Sequence, residues 1–172
     1  MLAKSFTDLF AWNNGKIEDV RFWCEPHLTL DVLKRIESEF SICDVEGFVG
    51  IEARGFYLAG AASLQYGLPT ILVRKHKSFF DKMDHASVRF QNWKGDSETL
   101  TVMKSSLPKL NSALIVDDIL DTGASLKATQ QLLTSLDIKV KGAFYLLNSY
   151  GESASQDFGI PIKSALTRKL FT

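Results

Sequence analysis

The stretch ALIVDDILDTGASL, residues 113–126, decides how the rest of this chain is read. It opens on four apolar residues, Ala113 to Val116, the composition of a strand buried on both faces. Two carboxylates, Asp117 and Asp118, follow at once. Adjacent charges of one sign at a buried strand are costly unless something polar meets them, so ALIVDD reads as a strand that ends on a ligand-facing acid pair. Beyond Ile119 and Leu120 come Asp121, Thr122, Gly123, Ala124 and Ser125, mostly small residues that leave backbone amides open, and then the helical pattern SLKATQQLLTSL. A small-residue turn feeding a helix N-terminus aims amides and the positive end of the helix dipole at one point, which makes a cradle for phosphate. Thr122 and Ser125 add hydroxyl donors. No Lys follows the glycine, so this is not the GxxxxGK[ST] nucleotide loop. A phosphate cradle beside two acceptors for neighbouring hydroxyls describes a site for a ribose 5-phosphate.

Outward from this stretch the chain alternates strand and helix. EGFVGIE and TILVRK are short apolar runs between polar residues, and between them GFYLAGAASLQYG is an Ala-rich helix closed by Gly67. LDVLKRIESEF places Leu33, Ile36 and Phe40 on one helical face, and VKGAFYLL and IPIKSAL supply two further strands. This order predicts an α/β fold with a central, mostly parallel sheet flanked by helices. Ligands in such folds bind beyond the carboxyl ends of the strands, which brings Glu52-Ala53-Arg54-Gly55 towards Asp117-Asp118. Residues 76–99, HKSFFDKMDHASVRFQNWKGDSET, fit neither period, and a polar segment of that length inside a domain reads as a lid or binding loop.

With 172 residues, 45% hydrophobic and 23% charged, the chain has the composition of one ordinary globular domain, residues 1–172. Its 20 basic and 20 acidic residues cancel, which argues against a protein dedicated to nucleic acid. Cys24 and Cys43 form neither a CxxC pair nor a repeated pattern, so a reducing, cytoplasmic setting is expected and a zinc site is not. No apolar run reaches membrane-spanning length, and no signal-peptide core opens the chain.

The run ALIVDDILDTGAS resembles the phosphoribosyl-pyrophosphate (PRPP) signature of type I phosphoribosyltransferases. GFVGIEARGFYLAGAASLQYGLPTILVRK is similar to the matching stretch of adenine phosphoribosyltransferases, as are TLTVMKSSL, VKGAFYLLN and IPIKSAL, so the likeness runs from about Phe22 to Leu166. The resemblance implies the type I fold, with an N-terminal hood and first helix over residues 1–45 and a mobile lid over 76–99. It implies transfer of the phosphoribosyl group of PRPP to a purine, adenine first, with loss of pyrophosphate in purine salvage. By the same analogy Asp117 and Asp118 hold the ribose, and Asp121, Thr122, Gly123, Ala124 and Ser125 form the phosphate loop. Ala53, Arg54, Gly55, Arg74 and Lys75 meet pyrophosphate, and Arg21 and Phe22 cover the base. Magnesium comes with PRPP rather than in a protein cage, and the enzyme is a cytoplasmic homodimer without nucleic-acid or membrane partners.

Three departures bear on the base. The run Phe90-Gln91-Asn92-Trp93-Lys94-Gly95 stands where the family's lid carries a glutamate, so Asp121, Asp96 or Glu98 would have to supply the missing acid. Asp121 replaces the usual Ala before Thr-Gly and resembles hypoxanthine-guanine enzymes. Arg21-Phe22-Trp23 swaps the order of the hood's usual Phe-Arg. These keep two alternatives in view, a 6-oxopurine phosphoribosyltransferase and a non-catalytic PRPP sensor resembling purine-repressor effector domains.

Overall fold

In the computed structural model, which describes residues 11–13, 16–18, 22–75, 84–92 and 94–167, the run 113–116 lies at the centre of a five-stranded sheet. A short antiparallel pair, β1 (Ala11–Asn13) and β2 (Lys16–Glu18), precedes helix α1 (Pro26–Glu39). Then follow β3 (Phe48–Ile51), α2 (Arg54–Tyr66) and β4 (Thr70–Val73). The hairpin of β5 (His85–Gln91) and β6 (Ser97–Met103) leads to β7 (Ser112–Leu120), α3 (Ala124–Thr134), β8 (Lys139–Asn148), α4 (Ala154–Phe158) and β9 (Ile162–Thr167). The sheet order is β4-β3-β7-β8-β9, and every pairing in it is parallel.

Helices cover both faces, as a parallel sheet requires. Leu114 and Val116 point to the side of α1 and α2, where Phe22, Leu33, Ile36, Leu58 and Phe144 join them. Ala113 and Ile115 point to the side of α3, with Leu126, Leu132 and Tyr145. The side chains of β3 and the apolar half of β7 are buried throughout, which is why these strands read as unbroken apolar runs. Close approach of α2 to the sheet depends on Gly50: a Cβ there would run into the Gly55 carbonyl and come within 2.9 Å of the Ala59 Cβ. Among the described residues no helix is long and apolar enough to cross a membrane.

Two sequence expectations are corrected. β7 does not end at Asp118 but stays paired to β8 as far as Leu120 opposite Asn148, because β8 is long enough to carry it. Its other neighbour, β3, pairs only up to Gly50 opposite Val116, so the acid pair projects past that side of the sheet while still in strand conformation. The second correction concerns residues 76–99. Residues 76–83 and 93 lie outside the described residues, but the remainder is no patternless loop: it forms most of the β5–β6 hairpin. In β5, Ala86, Val88 and Phe90 pack against the α3-side core while Ser87, Arg89 and Gln91 face outward, a period of two hidden in a polar composition.

Candidate active site

The chain runs from β3 to β4 on one side of the sheet and from β7 through β8 to β9 on the other, so the strand order reverses between β3 and β7. Loops leaving adjacent strands in opposite directions open a crevice at such a point. Into it come residues 52–55 after β3, the acid pair and the 121–125 turn of β7, and Lys75 after β4.

Asp117 is 8% exposed, and Gly55 makes room for it: a Cβ at that glycine would stand 2.8 Å from Asp117 Oδ1. Burial holds the Asp117 carboxyl well above the usual carboxylate range, and the charge of Asp118 pushes the same way. The Asp118 backbone N–H and the Lys75 ammonium pull against them without overcoming them. Asp118 accepts a hydrogen bond from the Ile119 N–H at 2.8 Å and an ion pair from Arg54 Nη1 at 3.0 Å. That guanidinium also lies 6.0 Å from the centre of the Trp23 ring. Glu52 turns back to accept the Lys75 backbone N–H at 2.8 Å, which joins the end of β3 to the residue after β4. The Glu52–Ala53 peptide is cis.

The turn after β7 has the form the sequence predicts. Gly123 takes φ +74°, where a side chain would collide with the Phe158 ring, and Ala124 opens α3 directly after it. The Ala124 N–H reaches Thr122 Oγ1 at 3.4 Å. A cavity of about 180 Å³ is walled by Asp117, Asp118, Ile119 and residues 121–125 on one side and by Lys75 on another, and is closed by Phe90, Asn92 and Glu98 of the hairpin. Asn92 organises that closing edge. Its Oδ1 accepts the Lys94 and Asp96 N–H groups, and its Nδ2 donates to Glu98 Oε1 at 2.7 Å.

The structure thus brings Asp117, Asp118, Asp121, Thr122, Gly123, Ala124, Ser125 and Lys75 to one cavity, with Arg54 tied to it through Asp118. Arg74 stands apart: its guanidinium lies 5.9 Å from the Phe56 ring centre, and its backbone bridges to Thr101. Arg21 lies outside the described residues. Phe22 is not among the residues lining this cavity; its ring is fully buried among α1 and sheet residues. Sequence reasoning gave no role to its neighbour Trp23, edge-on to Tyr57 at 5.3 Å, and did not single out Tyr145. A signal existed for Tyr145, a phenol inside an otherwise apolar strand.

A model of the phosphoribosyl transferase domain matches residues 44–153. The chain is 26% identical to the adenine phosphoribosyltransferase of Prochlorococcus marinus over 84% of its own length and 83% of that protein's. It is 29% identical to the hypoxanthine/guanine phosphoribosyltransferase of Methanothermus fervidus over 68% of this chain and 59% of that one. The crystal structure of adenine phosphoribosyltransferase from Rhodothermus marinus superposes with a TM-score of 0.82, covering 96% of this chain and 98% of the other at 19% identity.

Proposed function

The chain belongs to the phosphoribosyl transferase domain family, and we propose that, as a single catalytic domain, it moves the 5-phosphoribosyl group of PRPP onto adenine, giving AMP and pyrophosphate. The observation that carries this reading is the cavity at the strand-order reversal, where an acid pair, an open-amide turn and Lys75 face one another. The amides of residues 122–125 and the α3 N-terminus suit the 5-phosphate. Asp117 and Asp118 suit the ribose hydroxyls, and Arg54 and Lys75 suit the pyrophosphate. The Arg54–Asp118 ion pair satisfies both groups without substrate; it opens when each takes its own part of PRPP.

The bond formed joins a purine nitrogen to C1 of the ribose, and the bond broken is that from C1 to the pyrophosphate oxygen. Positive charge developing on the sugar is met by the carboxylates beside it, and charge on the departing oxygens by the cations. Asp121 and Glu98 are the two acids of the cavity free of the ribose assignment, and either supplies the proton partner at the purine ring. The β5–β6 hairpin serves as part of the lid that keeps water from C1.

The donor chemistry fits magnesium brought in by PRPP. Among the described residues no three metal-ligating side chains cluster, while Asp117 and Asp118 offer hard oxygens that would hold such an ion only together with substrate oxygens. Bound there, magnesium supplies neutralisation of the pyrophosphate. We place the reaction in the cytoplasm, which suits two exposed thiols, Cys24 and Cys43. We assign a homodimer, supported by the apolar side chains that α2 and the edge strand β4 expose at Leu64 and Leu72.

A second reading takes hypoxanthine or guanine as the base. Asp121 on the cavity wall favours it, as does likeness to the Methanothermus enzyme. Pyrophosphate release from PRPP and Mg²⁺ with adenine, hypoxanthine, guanine, xanthine, uracil and orotate in turn tests both. Release with adenine alone establishes the first reading, release with 6-oxopurines the second, and release with none overturns the enzyme assignment.

A further inference from the structure

From Gly142 to Leu147 strand β8 is buried without interruption, and Tyr145 is its single polar side chain there. The residue is 1% exposed, and its hydroxyl has no hydrogen-bond partner among the described residues. A phenylalanine would fill the same apolar cluster of Ile51, Ile115, Leu120 and Leu126 without burying an unmatched hydroxyl. Packing therefore gives no reason for the oxygen.

The strand register does. Tyr145 stands directly opposite Asp117 in the β7–β8 ladder, so both side chains leave the sheet on one face as neighbours. On its other flank the ladder offers only the half-buried Ser164 of β9. Burial pushes the phenol's proton affinity up, and the charges that add to this are those of Asp117 and then Asp118. The phenol thus stands beside Asp117, which lines the cavity, with no hydrogen bond between them in this structure.

Resting on the function proposed above, we propose that Tyr145 is a positioning residue: when PRPP binds, its O–H, unpaired beforehand among the described residues, donates to the Asp117 carboxylate and holds it towards the ribose hydroxyls. The hydroxyl touches no reacting atom. It acts by ordering Asp117, whose other neighbours are the Gly55 backbone, Asp118 and the charge of Lys75.

The test is calorimetric titration of PRPP and Mg²⁺ into the unaltered chain, Asp117→Asn, Tyr145→Phe and the double variant, with a melting temperature for each. Tyr145→Phe should melt no lower than the unaltered chain yet bind PRPP about tenfold to a hundredfold more weakly, as loss of a hydrogen bond to a charged group would. In the double variant the two losses should not add, because they act through one carboxylate. Unchanged affinity in Tyr145→Phe, with binding lost in Asp117→Asn, overturns this inference alone. No PRPP binding by the unaltered chain overturns the proposed function and this inference with it.

Should Tyr145→Phe fail to fold, a second measurement decides. The chain labelled with 3-fluorotyrosine, with Tyr57, Tyr66 and Tyr150 changed to Phe, carries one fluorine signal, from Tyr145. That signal should shift on adding PRPP and Mg²⁺, and a stationary signal overturns the proposal.

Discussion

At the scale of single residues, burial raises the proton affinity of Asp117, and the like charge of Asp118 next door adds to it. A native pKa above the unfolded one means that the folded chain holds the proton more tightly than the unfolded chain. The associated stability is complete below about pH 4, the unfolded value, and is lost as pH rises through the native value. Asp117→Asn removes a group that must ionise or stay protonated against its surroundings. The variant should therefore melt higher than the unaltered chain at pH 7.5, and the gap should shrink at pH 4; thermal scans at the two pH values check this. Changing Asp117 and Asp118 together to Asn should weaken PRPP binding by about 2–4 kcal/mol with the fold intact, read by calorimetry. Asp121 and Glu98 share one cavity, so their roles separate by kinetics. If Asp121 is the acid–base group, Asp121→Ala should cut turnover by roughly 10²–10⁴ with little change in PRPP affinity, and Glu98→Gln should leave turnover nearly intact. The reverse pattern assigns the role to Glu98. Both acids were legible as candidates in the sequence. That Asn92 holds Glu98 at the cavity's edge was not, because the hairpin's turn geometry makes that bond.

The elements that frame the cavity behave as units. The 121–125 turn depends on Gly123, whose φ of +74° and contact with Phe158 admit no side chain. Gly123→Ala should cost roughly 1–2 kcal/mol for the left-handed backbone alone, with the collision against Phe158 in addition, and urea unfolding measures the total. The hairpin is the other unit. As part of a closing lid, it should be cut more slowly by protease when PRPP and Mg²⁺ are present, and equal rates with and without them count against closure. The form of the 121–125 turn could be read from DTGAS, since turn chemistry is local. The hairpin could not, because the packing on α3 that buries one face of β5 comes from a segment distant in sequence.

For the molecule as a whole, the five-stranded parallel sheet and its reversal of strand order between β3 and β7 set where the candidate cavity opens. Assembly is the matching question at this scale. Leu64, 89% exposed on α2, and Leu72, 44% exposed on the edge strand β4, present apolar surface to solvent. Sedimentation equilibrium should give twice the chain mass, and Leu64→Asp with Leu72→Asp should shift the chain towards monomer. A monomeric unaltered chain removes the dimer.

The sequence by itself determined the α/β class, the glycine turn before α3 and the identity of the acid pair, because strand patterning, turn chemistry and a signature run are properties of neighbouring residues. Tertiary structure alone decided what those residues meet. It carried β7 past Asp118 on the strength of its pairing with β8, turned Phe22 into the core, and tied Arg54 to Asp118 across 64 positions of chain. It also set Tyr145 beside Asp117, a neighbour relation made by strand register, which no local pattern of residues specifies.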